Sequence, residues 1–404
     1  RAGTHGPLTG IRVLEATNYA SGPVCGMILS DLGAQSIKCE LPGTGDPNRQ
    51  VGPFIKNLRD GGSSVIYNSM NRGKRCVTLD FRKPEGQDLF RRLAARADIV
   101  IENFSPGTMD AWELGYRHIR AVKPDIVYVS ISGFGQFGPL HHKKGFDPVG
   151  QAMGGLMSVT GEPDGRPLRA GFVIADDMAG WQAAIGALAA LHHRTTTGEG
   201  QQVDACLTDS QLYASSYGIM AAAEAGHVWQ RSGNSLGSGA PMNTYQCKDG
   251  HWLSVFAPFQ KHFEALCRLM DRDELIADPR CATWDARTEN AAWLDEIVGA
   301  WAATLGSEEA ELLLEKADIV AARVLDFADI VRFPHYQARD MVVKAEHPTH
   351  GPITHYGVGT KYSRTPGGVR RAAPLLGEHN AEVYCQELGL SEAEVAALRE
   401  RGIV

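Results

Sequence analysis

Short apolar runs of strand length alternate with amphipathic helical stretches along the first half of the chain, and this alternation limits the fold more than any other feature. Ile11–Ala16 is a strand candidate. A Ser21-Gly22-Pro23 turn then opens a helical pattern that runs to Leu32 and closes at Gly33, and Ser36–Glu40 is the next strand. The unit recurs: Pro84–Ala97 has helical apolar spacing, and Asp98–Glu102 (DIVIE) and Asp125–Ser130 (DIVYVS) are apolar runs bounded by polar residues. Strands with no polar alternation must be buried on both faces, and connections long enough for a crossover helix allow parallel pairing. The expected fold class is therefore α/β, with a Rossmann-like parallel sheet covered by helices.

A chain of 404 residues, 43% of them hydrophobic, is too long for one typical compact domain. The texture changes at about Gly226. Gly, Ser and Asn crowd Ser232–Gly239, and Cys247–Val255 contains a hairpin turn at Lys248-Asp249-Gly250. Short helical stretches follow, Gly351–Tyr362 is again strand-like, and Ser391–Arg401 is a terminal helix ahead of Gly402. These shifts predict a large domain built from 1–225 plus 331–404, with a smaller α+β domain, 226–330, inserted in it. The Ala-rich stretch Ala179–His193 is apolar enough to require deep burial. Gln202–Cys206 is a strand candidate leaving it.

Several function classes are disfavoured. Forty basic against 47 acidic residues leave a formal charge of −7, so no general basic excess draws the chain to nucleic acid or anionic membranes. No apolar stretch reaches the about 18 residues of a membrane helix; Ala179–Leu191 comes nearest and carries Gln182. The start, RAGTHGPLTG, lacks the apolar core of a signal peptide. Eight dispersed cysteines include no CxxC, which fits reduced thiols in the cytoplasm. His141/His142, His192/His193 and His347 with His350 lack ligand-like spacing, so no metal site is expected. Gly133–Gly138 is a literal G-x-G-x-x-G after a strand. Pro139 and the run His141–Lys144 follow where a phosphate-binding helix should begin, so a nucleotide-dependent oxidoreductase is only an alternative.

Ordered segments along nearly the whole chain carry a resemblance. They are PLTGIRVLEAT (Pro7–Thr17), DLGAQSIKCELPGTGD (Asp31–Asp46), NRGKRCVTLDFRKPEG (Asn71–Gly86), ADIVIENFSPGTMDAWELGY (Ala97–Tyr116) and KGFDPVGQAMGG. ADDMAGWQAAIGALAALHHRTTTGEGQQVD (Ala175–Asp204) is the densest, and APMNTYQCKDGHW and LGEHNAEV (Leu376–Val383) complete the set. Together they resemble the family III CoA-transferases (CaiB/BaiF type), the group that includes formyl-CoA transferase and the carnitine-pathway CoA-transferases.

The resemblance implies transfer of CoA from an acyl-CoA to a free carboxylic acid, through aspartyl anhydride and aspartyl-CoA thioester intermediates. It implies an intertwined dimer, either a homodimer or a heterodimer with a homologous subunit. CoA enters as a substrate, and no permanently bound cofactor is expected. Succinyl-CoA as donor and a dicarboxylic or aryl-substituted acid as acceptor are what such enzymes commonly use. The matching nucleophile is the first Asp of a D-x-x-x-G turn, here Asp176, four residues before Gly180. The plain alternative is an N-cap for a helix beginning after Ala179.

CoA phosphates need local cations. The resemblance points to Asn71, Arg72, Lys74 and Arg75, to Asn103 and Phe104, and to Lys144. A solvated basic face is the alternative for the first group, and core packing is the alternative for Phe104. Ser232–Gly239 resembles a glycine-rich segment that covers the site, or is a plain linker.

Three positions depart from the family pattern: Leu41 stands in place of a coenzyme-binding Arg, Ala111-Trp112 replaces an Arg-containing segment, and Ala20 replaces a site Gln. Related racemases carry a His where this chain has Phe146, which cannot move a proton, so 2-methylacyl-CoA racemisation is a second alternative.

Overall fold

Alternate residues of the apolar strands supply two cores, one on each face of a single sheet. The computed structural model describes residues 6–215, 217–235 and 237–404. Arg1–His5, part of the start read above, and Leu236 of the Ser232–Gly239 loop lie outside them. Six strands form the sheet: β1 (Arg12–Ala16), β2 (Gln35–Glu40), β3 (Arg75–Thr78), β4 (Ile99–Glu102), β5 (Val127–Ser132) and β6 (Gln202–Cys206). Their order is β3-β2-β1-β4-β5-β6, and every neighbouring pair is parallel. This is the doubly wound order, whose strand sequence reverses between β1 and β4.

Leu14, Val77, Val100 and Tyr128 point to one face, where they meet Leu89, Phe90 and Leu93 of a helix (Pro84–Ala94). Val383, Tyr384, Leu388, Val395 and Leu398 complete that core, so the C-terminal part of the chain returns to the N-terminal sheet. Val13, Ile99, Ile101, Val127 and Val129 point to the other face. Two helices cover it: α1 (Ser21–Asp31), and the helix named α5 below, a 24-residue element at Ile174–Thr197. Ala175, Ala179, Ala183 and Ala187 recur every fourth residue of the long helix and are all buried, so that its backbone lies close to the sheet. The helix ends at Gly198, whose positive φ of 78° allows its N–H to reach the Arg194 carbonyl.

Between β2 and β3 runs a short helix, α2 (Val65–Asn71); α3 is the Pro84–Ala94 helix, and α4 is Asp147–Met153. Helix α5 begins at Ile174, five residues earlier than the sequence spacing suggested.

The chain divides into two compact units: Arg1–Met157 with Arg169–Val228 and Pro334–Val404, and Ser158–Leu168 with Trp229–Phe333. The insertion was expected at 226–330; the second unit also takes up Ser158–Leu168, a segment punctuated by Gly161, Pro163-Asp164-Gly165 and Pro167. This unit holds an antiparallel sheet of β7 (Met242–Gln246), β8 (Trp252–Phe256) and β9 (Val320–Arg323), with helices packed on Leu253, Val255, Phe263 and Leu294. Its buried Arg287 donates to the carbonyls of Ala240, Pro258 and Cys281 and to Gln260 Oε1. Among the described residues no carboxylate pairs with it, and the cation ties loops together through their carbonyls. In the first unit, β10 (Val342–His347) and β11 (Gly351–Tyr356) form an antiparallel hairpin.

Candidate active site

Doubly wound sheets bind ligands outside the carboxyl ends of their strands, at the point where strand order reverses. Here that point is the gap between the loops after β1 and β4. The Asn103 side chain spans it: its Oδ1 accepts from Asn18 N (2.9 Å) and its Nδ2 donates to Asn18 O (2.7 Å). Asn103 Nδ2 also lies 3.5 Å from Ser21 Oγ at the start of α1. The Ser21 hydroxyl in turn lies beside the Asp176 carboxylate and favours its charged form. Asn103 and Asp176, both named from the sequence, thus lie on either side of Ser21, a residue that the sequence reading treated only as part of a turn.

Gly180 explains how α5 reaches this place. A Cβ there would lie 2.8 Å from Ser21 O and from Val24 Cγ1, so only glycine lets α5 approach α1 this closely. Tyr19, also in the loop after β1, holds a positive φ of 62°. Its N–H donates to Asp46 Oδ1 (3.3 Å) and its carbonyl accepts from Asn48 (2.7 Å). Half-exposed Phe146 stands edge-on to the Tyr19 ring, 5.6 Å away, and brings no titratable group to the site.

Three carboxylates gather at the start of α5. With Val173 as N-cap, Asp176 sits within the first turn and caps nothing; the helix start has no side-chain cap of its own. Asp147 supplies one from outside: its Oδ1 accepts from Ala175 N (2.9 Å), while its Oδ2 accepts from Gln151 Nε2 (2.8 Å). Burial pushes the Asp176 pKa up to about 7, and repulsion from Asp147 and Asp177 adds to it, against the pull of the Ser21 hydroxyl. Burial and Asp147 likewise push Asp177 up to about 6. Successive helical residues point about 100° apart, so the two acids do not share one environment. Asp177 instead adds to the field that raises the Tyr356 hydroxyl pKa, to which burial contributes most.

The basic run departs from its expected role. Asn71 ends α2, Arg75 opens β3, and Asn71, Arg72 and Lys74 are buried. Lys74 Nζ donates to Glu15 Oε2 (2.8 Å), Pro23 O (2.8 Å) and Asn71 Oδ1 (3.1 Å), so all three of its protons are used internally. Burial lowers its pKa to about 8, although Glu15 opposes the shift. Arg72 forks onto Asp31 (3.2 and 2.7 Å) and stacks over Tyr356. Arg75 is held by Glu382 and Glu387. These side chains do not form the open phosphate cradle expected of them, because the cationic heads that a phosphate would need are turned inward to carboxylates.

The same pattern of buried pairs continues after β2. Lys38 meets Asp46 at 2.8 Å, and Arg49 meets Glu40 at 2.8 Å; Arg49, with help from Lys38, holds Glu40 down at about 2 against the burial that would raise it. Phe104 packs edge-on against Trp112 (5.2 Å) and Phe81 (6.3 Å), in the core position given above as its alternative. Lys144 is exposed and has no ion pair among the described residues. Among the cations named from the sequence, it is the one presented to solvent without a carboxylate.

The Gly133–Gly138 loop spends its amides internally, Gly135 N on Ser132 Oγ (2.9 Å) and Gln136 N on Asp204 Oδ2 (2.8 Å), and no helix begins between it and Asp147. A dinucleotide site is not built there. Among the described residues, no cluster of three or more His, Cys, Asp or Glu side chains could hold a metal ion, and no helix is long and apolar enough to cross a membrane. A concavity of about 780 Å³ lies within the second unit, lined by Asp249, His251, Ser307, Lys316 and Arg323. None of the expected site residues lines it. Its arginine is already paired with Glu308 and Glu311.

Comparison with known proteins decides the family. The model of CoA-transferase family III matches residues 8–380. The chain belongs to that family. It is 38% identical to a succinyl-CoA–D-citramalate CoA-transferase of Chloroflexus aurantiacus, over 98% of each chain. A succinyl-CoA:mesaconate CoA-transferase of Haloarcula hispanica is also 38% identical, over 94% of this chain and 96% of that one. The crystal structure of a CaiB/BaiF family protein from Brucella suis superposes with a TM-score of 0.86 at 33% identity, covering 95% of this chain and 99% of that one. This family III protein is therefore an enzyme, a CoA-transferase, and its α/β fold is the one that the family's motifs implied.

Proposed function

We propose that this CoA-transferase moves CoA from succinyl-CoA to a second dicarboxylic acid, with Asp176 as covalent nucleophile. The observation that carries the reading is Asp176 itself, an acid set at the start of α5 against Ser21 and the switch-point crevice. The ionised carboxylate attacks the donor thioester carbonyl. The C–S bond breaks, leaving a mixed anhydride and the CoA thiolate. The thiolate attacks the aspartyl carbonyl, and the donor acid leaves as carboxylate. The acceptor carboxylate then attacks the aspartyl thioester, and the same two exchanges return Asp176. No external reductant, oxidant or nucleotide is needed, and thioester energy is kept as long as water is excluded.

Asp176 must be charged to attack. With its pKa raised to about 7, the rate of the first step rises with pH through that value. Asn103 and exposed Lys144 are the contacts proposed for the coenzyme. The buried run Asn71–Arg75 is proposed to support them through the backbone it shapes. Racemisation is disfavoured, because Phe146 brings no base to the position where related racemases carry a His.

The donor and acceptor follow from the relatives, which are named for succinyl-CoA together with citramalate or mesaconate. A screen of acyl-CoA donors against mono- and dicarboxylic acids, with CoA exchange read by mass spectrometry, tests this choice. Exchange from succinyl-CoA to C4–C5 dicarboxylates is expected to dominate, and preference for monocarboxylic acceptors would refute it.

The same reading includes an intertwined dimer. Trp181 and Ile185 are 47% and 58% exposed on one face of α5, and Tyr213, Ile219 and Met220 are exposed on the short helices that follow. Such a concentration of bare apolar side chains supports a subunit interface. Sedimentation equilibrium is expected to show dimers that dissociate only on unfolding; a folded monomer at micromolar concentration would contradict it. The eight free cysteines, seven of them buried, support a reducing, cytoplasmic setting.

A further inference from the structure

The lead-in to the nucleophile helix, Arg169–Val173, has no helix or strand of its own, and α5 starts without a side-chain cap. Something else must fix the position of Asp176. The first-turn amides of a helix need acceptors, and a lead-in without regular structure must find its hydrogen bonds elsewhere. The exposed Arg169 guanidinium donates to Ala170 O (2.9 Å) and Phe172 O (3.3 Å), and one buried side chain supplies the rest of the grip. Gln151, on α4, is fully buried. Its Oε1 accepts from Ala170 N (2.8 Å). Its Nε2 donates to Asp147 Oδ2 (2.8 Å) and lies 3.3 Å from Phe172 O. Asp147, so held, presents its other oxygen to Ala175 N, the residue before the nucleophile. Gly150 brings α4 within reach: a Cβ there would lie 2.7 Å from Ala175 Cβ. A single amide thus grips the lead-in at two points and orients the carboxylate that caps α5.

We infer that Gln151 is a positioning residue for the transfer reaction, fixing the Asp176 carboxylate through the lead-in and through Asp147. The inference rests on Asp176 being the nucleophile. A glutamine is suited to this place because it both donates and accepts. An ionised glutamate could keep the Ala170 bond but could donate to neither Asp147 nor Phe172 O. A methionine of similar size loses all three bonds.

The test uses the intact enzyme and compares Gln151→Met, Gln151→Glu and Asp176→Asn with wild type. It measures kcat, KM for succinyl-CoA, the rate of adduct formation trapped by hydroxylamine, and the thermal midpoint. Misplacement of a reacting group by about 1 Å costs on the order of 10²-fold, so both Gln151 variants are expected to lose about 30–100-fold in kcat and in trapping rate, with KM changed less than about threefold. Both variants keeping kcat within about twofold would overturn the inference. So would a lower thermal midpoint with normal kcat per folded molecule, since that is the mark of a merely structural role. If Gln151→Met does not fold, Gln151→Glu decides by the same criteria. Full activity in both Gln151 variants with an inactive Asp176→Asn removes the brace alone, whereas an active Asp176→Asn removes the nucleophile reading itself.

Discussion

Asp176→Asn is expected to abolish transfer, by roughly 10⁴-fold or more as for other covalent nucleophiles, and also to make the protein more stable at pH 8. The two effects share one cause. The folded protein holds Asp176 at about 7, well above the roughly 3.9 of an unfolded aspartate. Between those values the native state binds a proton that the unfolded state has released, so stability falls as pH rises through the window. Above about pH 7 the full cost of keeping the carboxylate charged is present, at most about 4 kcal/mol for a shift of this size. Below about pH 4 both states are protonated and the cost vanishes. Asparagine is uncharged at every pH, so thermal midpoints of variant and wild type should converge at acid pH and diverge at alkaline pH, with the variant higher. Equal midpoints at pH 8 would mean that the carboxylate bears no burial cost. Asp177→Ala should keep much of the activity, because that side chain is not the one set beside Ser21.

Lys74→Met should be the most damaging of the charge substitutions for stability. Lys74 and Glu15 are both fully buried, and Glu15 Oε2 also accepts from Thr17 (3.1 Å) while its Oε1 takes the Ser36 hydroxyl. Removing the ammonium leaves a buried carboxylate without its cation, a change that costs about 3–5 kcal/mol. The pair itself is not a large net stabiliser, because desolvating both buried charges offsets most of their attraction. The double variant Glu15→Gln with Lys74→Met should therefore recover most of the loss. Urea unfolding of the single and double variants checks this; equal destabilisation of both would contradict it.

These buried pairs mark where sequence reading ran short. The strands of the sheet were legible because Ile11–Ala16, Asp98–Glu102 and Asp125–Ser130 are apolar runs that only a doubly covered sheet can bury. Helix α5 was legible from its alanines; Asp176 was singled out only by the resemblance to the family, since nothing else in the sequence separates it from Asp177. Asn71–Arg75 was not legible, because in a linear sequence a basic run looks the same whether it faces solvent, phosphate or a distant carboxylate. The partners Glu15 and Asp31 lie tens of residues away and become visible only when β1, α1 and β3 are laid side by side. Asp147 and Gln151 were within reach. They stand four apart on one helical face, an acid and an amide just after the KGF segment, and a side-chain pair at that spacing signals mutual contact. The Ser21 hydroxyl had no such signal, since it gains meaning from Gly180 on another helix.

The most direct measurement incubates the enzyme with succinyl-CoA, adds hydroxylamine or borohydride, and maps the modified peptide by mass spectrometry. The modification should fall on Asp176, appear only with the acyl-CoA present, and be absent from Asp176→Asn. A label on another acid, on Asp177 for example, or efficient exchange by Asp176→Asn, would contradict the account.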